Sequence, residues 1–314
     1  MDLRQLSALL SVADHGSFSA AARALHTVQS NVSTHIARLE RELGVTLVDR
    51  SAGALTEEGE LVAERARRVR SELEALSADV ASVRDEVSGS ARIGMIGTTA
   101  RWLAPRLLDA LTRAHPRIRL VVVDATTSTL MPQLLRGDVD IAVANLPTRD
   151  PDVIEEPLFD EDRLLVAPRD HPLASFEELS IDRLADYELV LASEGTVFRS
   201  ELDADADRAG VVLRTKAEVD GMTLVASLAF QGFGPAILPA SAVPSAPGPD
   251  SAWRRIPVRG LSRRKVGLVR RRRGMPAAPT RAVANVLKAV VAESAPHQPG
   301  IHPAVGAEAT RVTR

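Results

Sequence analysis

Between Val62 and Val87, apolar residues recur at alternating steps of four and three: Val62, Ala66, Val69, Leu73, Leu76, Val80, Val83 and Val87, flanked by Glu, Arg and Asp. A seam with that period describes one long helix whose apolar edge is too narrow to be a core and too continuous to face water. Thr56 can cap its start, and Glu57 and Glu58 suit the positive end of the helix dipole. The pattern predicts a helix that pairs with its copy in a second chain; an amphipathic helix packed on its own chain is the alternative. Either way it divides the 314 residues into a short part before it and a long part after it.

The short part reads as three helices. Leu3, Leu6 and Leu10 recur at helical spacing from Asp2 to about Ala13, and Asp14-His15-Gly16 breaks the run. Ser17 can cap a second helix with Phe18, Ala21, Ala22 and Leu25 on one face. A third follows the turn at His26-Thr27, with Val28, Val32, Ile36, Leu39 and Leu43 as its buried stripe and Gly44 as its stop. Opposite that stripe lie Ser30, Thr34, Ala37, Arg38 and Arg41, flanked by Asn31 and Ser33, with Gln29 near the start. A small polar face of this kind can enter a major groove and address phosphates and base edges, although it also suits a merely solvated helix. VTLVDR, the turn SAGA and LT then read as a two-stranded wing with Arg50 at its base, a candidate phosphate or minor-groove contact.

Residues 1 to 56 carry five arginines against five carboxylates, so DNA affinity would have to come from arginine placement, helix N-termini and doubling in a dimer. The stretch DLRQLSALLSVADHGSFSAAARALHTVQSNVSTHIARLERELGVTLVDR, followed by LTEEGE, resembles the DNA-binding domain and linker helix of LysR-type transcriptional regulators. That resemblance implies DNA contacts at Gln29, Ser30, Asn31, Ser33, Thr34, Arg38 and Arg50. One departure is local: Val28 stands directly before Gln29, after Thr27.

The long part alternates strands and helices. ARIGMIG, IRLVVVDA and DVDIAVANL read as strands, separated by helices at RWLAPRLLDALTRAH and TLMPQLLRG. A second set runs through LLVAP, ELVLAS, a helix from Val197 to Ala209, LRTKAEVD, the helix GMTLVASLAF and GPAILP. KVGLVRRRR and PTRAVANVLKAVVAE add a strand and a helix that can return to the first set. The expectation is two α/β lobes with parallel sheets and a cleft where strand ends meet helix starts. Thr98 and Thr99, then Thr126, Thr127 and Ser128, open helices after strands and can hold a carboxylate or similar anion. In the second lobe Thr196 and Phe233 occupy comparable turns, and Trp102 and Phe198 are further aromatic candidates for a pocket or a core. Helix capping is the competing reading of each hydroxyl cluster. Through GDVDIAV, EPLFDEDRLLVAPRDHPLA and GFGPAILP this region is similar to the LysR effector domain, which implies a periplasmic-binding-protein-like fold with an effector between its lobes.

The expected organisation is therefore an α/β protein with an all-α N-terminal module: a winged helix-turn-helix over 1–58, a dimerising linker helix over 59–88, a two-lobed effector-binding domain over 89–293 and a disordered tail over 294–314. The expected partners are double-stranded DNA, a small-molecule effector with an anionic group as one candidate, and further copies of the chain as a homodimer or homotetramer; RNA polymerase is a candidate too. No cofactor and no metal are expected. With no cysteine, disulfides, thiolate zinc sites and cysteine nucleophiles are excluded, and the chain suits a reducing cytoplasm. The arginines between Arg263 and Arg273 read as an exposed strand edge rather than a nucleic-acid patch. An enzyme is the rival class, but there is no glycine-rich phosphate loop, nucleophile elbow or His pair at zinc spacing. A DNA-bound structural protein with silent lobes is the third reading.

Overall fold

The first three helices are α1 (Leu3–His15), α2 (Phe18–Ala24) and α3 (Gln29–Leu43), in a computed structural model that describes residues 1–50, 53–82, 87–245, 248 and 251–304. Asp2 caps α1 in a capping box with Gln5, Ser17 caps α2 through the Ala20 amide, and Gly44 ends α3 with a φ of +71°. The three pack around Leu9, Val12, Ala21, Ala22, Val32, Ile36 and Leu39. Two expected stripe residues lie outside this core: Val28 is 60% exposed and Leu43 40%. Val28 is the extended residue before the helix, so it never joins the helical face, and Leu43 lies in the last turn. The wing is β1 (Val48–Asp49) paired antiparallel with β2 (Ala54–Leu55).

Helix α4 (Glu57–Ser82) starts as expected, with the Thr56 hydroxyl accepting from the Gly59 amide at 3.0 Å. Gly59 is needed there because a Cβ would lie 2.0 Å from the Leu47 carbonyl oxygen. The seam is divided along its length between its own chain and open surface. Ala63 and Ala66 are buried in the helix-turn-helix core of their own chain, whereas Val69, Leu73, Leu76 and Val80 are exposed. Val83 lies outside the described residues.

The first lobe follows as β3 (Gly89–Met95), α5 (Gly97–Ala114), β4 (Ile118–Asp124), α6 (Thr127–Arg136), β5 (Ile141–Leu146) and β6 (Val153–Glu161). The chain then builds the second lobe from β7 (Arg163–Pro168), β8 (Leu179–Ser180), β9 (Glu188–Ala192), α7 (Val197–Arg208), β10 (Arg214–Val219), α8 (Met222–Phe230), β11 (Ala236–Pro239) and β12 (Trp253–Arg259). It returns to the first lobe with β13 (Arg264–Arg271), α9 (Ala278–Ser294) and β14 (Ile301–Pro303). The large sheet has the order β14-β6-β13-β5-β3-β4, and the second lobe holds β11-β7-β12-β8 and the pair β10-β9.

Three expectations are corrected here. The large sheet is parallel only across β4, β3 and β5; β13 and β14 run antiparallel because they come back from the second lobe in the opposite direction. The arginine run is not an edge: β13 lies between β6 and β5, Arg264 is buried, and the Arg271 guanidinium donates to the carbonyls of Leu134 (2.8 Å) and Val139 (3.1 Å). The tail is structured through residue 304. Gln298, buried, donates to the carbonyls of Ala240 and Val243, and β14 adds a strand to β6. Residues 305–314 lie outside the described residues.

Candidate nucleic-acid interface and effector cleft

On α3, Gln29, Ser30, Asn31, Thr34 and Arg38 are exposed and Ser33 half-buried, so the inward packing of Val32, Ile36 and Leu39 turns the expected polar face outward. Several of these groups are held in place. Gln29 Oε1 accepts from the Ser19 hydroxyl at 2.8 Å, Asn31 Nδ2 donates to Thr27 Oγ1 at 2.9 Å, and the Thr34 hydroxyl donates to the Ser30 carbonyl at 2.8 Å. Arg38 has no partner among the described residues. Val28, as the N-cap, offers no side-chain acceptor. The first amides of α3 thus keep their positive end open to an anion.

Arg50 is more than half exposed beside the wing. Its guanidinium lies 5.8 Å from the Phe18 ring centre and 3.9 Å from Glu40 Oε2. Glu40 in turn accepts from the amides of Leu47 and Val48, which ties the wing to α3 and sets the distance between Arg50 and the reading helix.

The two lobes come together at the start of α5, just after β3, where the sequence places the cleft. Gly97 marks the meeting point: a Cβ there would lie 2.9 Å from Asp124 Oδ1 and 3.1 Å from Thr223 Oγ1, one group from each lobe. α5 begins at Gly97 without a side-chain cap, because its N-cap is Ile96. The hydroxyls named from sequence are placed unevenly. Thr98 Oγ1 accepts from Arg264 Nη2 at 3.0 Å, and Thr99 Oγ1 is buried without a partner among the described residues. Thr126 caps α6 and lies within 3.0 Å of the Ser128 and Thr129 hydroxyls. Thr127 Oγ1 accepts from the Asn145 amide at 3.1 Å, and Asn145 Oδ1 is a second buried acceptor without a partner among the described residues. Thr196 caps α7 and donates to the Ser193 carbonyl at 2.8 Å.

Phe233 does not join this group. It follows the far end of α8, a helix about 13 Å long that starts beside Gly97 with Thr223 and runs away from the cleft. Trp102 and Phe198 are core: Trp102 meets Phe159 edge-on at 5.3 Å, and Phe198 lies 5.2 Å from the Arg163 guanidinium.

Sequence reading missed Asp124, Arg264 and Glu161. Arg264 and Glu161 carry charge in a strand pattern that reads as surface, and only their pairing explains their burial. Among the described residues no helix is long and apolar enough to cross a membrane.

Residues 3–60 match the model of the bacterial regulatory helix-turn-helix protein, lysR family, and residues 84–292 match that of the LysR substrate binding domain. The chain is 31% identical to the DNA-binding transcriptional dual regulator OxyR of Escherichia coli K12 over 273 residues, covering 86% of this chain and 90% of that one. It is 35% identical over 246 residues to a probable hydrogen peroxide-inducible genes activator of Streptomyces viridosporus, covering 77% and 78%. Among solved structures, a cysteine-substituted full-length OxyR of Pseudomonas aeruginosa superposes with a TM-score of 0.74 at 26% identity, covering 93% of this chain and 94% of that one. CbnR in complex with its target DNA superposes with a TM-score of 0.67 at 26% identity, covering 92% and 100%.

Proposed function

Because this chain belongs to the LysR family of transcriptional regulators, sequence-specific DNA-binding proteins whose C-terminal domain binds an effector that alters DNA binding, we propose how its own residues divide that work. Gln29, Ser30, Asn31, Ser33, Thr34 and Arg38 read the major groove from α3, with Arg50 on the flanking phosphates or minor groove. The observation that carries this reading is the polar, exposed face of α3 at a helix N-terminus without a side-chain cap. The exposed Val69, Leu73, Leu76 and Val80 pair with a second copy, which sets two reading heads on a pseudo-palindromic site. The protein works in the cytoplasm, where RNA polymerase is a candidate partner on the promoter.

Several relatives are named as hydrogen peroxide-inducible genes activators, and thiolate chemistry is the usual way a side chain reacts with a peroxide. This chain has no cysteine, which argues for a different, non-covalent effector. We infer a small polar molecule, with an anionic or hydroxyl group toward the first turn of α5 and the Thr126 to Ser128 hydroxyls, and a hydrogen-bond donor toward Asp124. Its binding between the lobes changes their relative orientation and thereby the DNA affinity or bend.

Footprinting on the DNA flanking its gene tests the DNA reading. The wild type protects a specific site, while Ser33→Glu and Arg38→Ala lose it; no protection by the intact protein at low salt would overturn the assignment of α3. The cleft reading is tested by thermal stability across a metabolite library, where a true effector raises the melting temperature and Gly97→Val abolishes the rise.

A further inference from the structure

One side chain touches all three parts of the molecule. Arg67, on the part of α4 that packs against the helix-turn-helix, donates from Nη2 to Asp14 Oδ1 at 3.0 Å, and its Nε lies 3.6 Å from Asp138 Oδ1. Asp14 stands in the last turn of α1 in the reading head, and Asp138 follows α6 in the first sensor lobe. The Arg67 side chain is 15% exposed, and Asp138 is further oriented by Arg136, whose Nε donates to its other oxygen at 3.0 Å.

Helix α6 makes this contact more than a surface ion pair. Its first end is capped by Thr126 in the effector cleft, and its last turn closes at Gly137 in a left-handed conformation with a φ of +86°. The Asp138 amide then donates back to the Gln133 carbonyl at 2.9 Å, so Asp138 is held to the helix end rather than to a free loop. A ten-residue helix about 15 Å long thus runs from the cleft hydroxyls to the carboxylate that meets Arg67. The distal part of α4 is separately anchored to the same lobe, where Asp79 Oδ1 accepts from the Ala278 amide at 2.9 Å and from Arg281 at 3.2 Å. Arg67 is therefore where lobe, linker and reading head share one charge.

We propose that Arg67 is a positioning residue that couples the effector cleft to the DNA-reading head through α6 and Asp138. This rests on the reading of the chain as an effector-controlled regulator. A shift of α6 on occupation of the cleft moves Asp138 against Arg67, and the arginine then divides its donors differently between Asp138 and Asp14. The coupling is reciprocal, so DNA binding at α3 alters the stability of α6.

Hydrogen exchange on the full-length protein, free and bound to the duplex identified by footprinting, tests this. In the wild type, DNA binding changes exchange of the 127–138 amides by about fivefold or more. Arg67→Gln and Asp138→Asn keep the footprint and lose that change, and Arg67→Lys restores part of it. An α6 that ignores DNA in the wild type, or responds equally in the variants, overturns it. The free protein gives a readout independent of DNA: Arg67→Gln alters exchange at 12–16 and 134–140 together, and no change at either end also overturns the proposal. Absence of any wild-type footprint, with the free-state response intact, counts against the regulator reading and not against the clasp.

Discussion

Arg264 Nε donates to Glu161 Oε1 at 2.6 Å, with both side chains buried, and the two residues stand opposite each other in β13 and β6 where the chain crosses between the lobes. The same arginine reaches Thr98 at the start of α5, and the other Glu161 oxygen accepts from the Ser241 amide at 2.9 Å. Both crossing segments and the first cleft hydroxyl are thus tied to one ion pair. Arg264→Leu leaves a buried carboxylate uncompensated and is expected to destabilise the sensor domain by about 3–5 kcal/mol. Combining it with Glu161→Leu recovers most of that loss, less the cost of the orphaned Ser241 amide, in denaturant unfolding followed on both variants.

The exposed half of the α4 seam makes a prediction about assembly. Leu76→Glu places a charge where a partner helix would bury a leucine contributing about 1.5–3 kcal/mol. Sedimentation is expected to report at least about a tenfold weaker dimer, with the helix-turn-helix still folded because Ala63 and Ala66, which belong to its core, are untouched.

Arg50 makes no base-reading claim, so its loss should look different from that of Arg38. Arg50→Ala is expected to weaken binding to specific and unrelated duplexes alike and to reduce the salt slope of binding by about 1 per half-site. Filter-binding titrations over a salt series measure this; a loss confined to the specific site would make Arg50 a base reader instead.

His171 makes the second lobe sensitive to acid. Burial pushes its imidazole below the ordinary histidine value of 6.5, with Lys216 adding to the effect and Asp170 opposing it. Its Nδ1 accepts from the Leu173 amide at 3.2 Å and its ring lies 5.4 Å from that of Tyr187. The folded state therefore binds the proton less readily than the unfolded chain. The stabilisation is complete above the unfolded value near 6.5 and is lost as the pH falls through the lower folded value. The melting temperature should fall on acidification below about pH 6.5, and His171→Asn, which keeps an acceptor for the Leu173 amide, should flatten that part of the profile.

What could be read before folding was what repeats locally. The caps at Ser17 and Thr56, the stops at Gly16 and Gly44, and the outward face of α3 all follow from contacts within a few residues, and they stand where spacing puts them, whereas the Asp2 cap was seen only in the structure. The starts of α5, α6 and α7 were legible as well, since Thr98, Thr126 and Thr196 follow strands and stand where those helices open. Phe233 was misplaced because its turn resembles the others, while α8 carries it to the opposite end.

The chain alone determined a three-helix reading head, a long capped helix with an apolar seam, and alternating strands and helices, because apolar period and capping chemistry act over one or two turns. Only the tertiary structure decided that β13 is interior, that Arg264 is a buried tie and Arg271 a half-buried one rather than an edge, that residues 294–304 brace the lobes, and that the seam divides between its own core and open surface. Strand order and burial are set by residues far apart in the chain. An arginine in a strand pattern looks the same at an edge or in an interior until folding brings Glu161, or the carbonyls of Leu134 and Val139, to meet it.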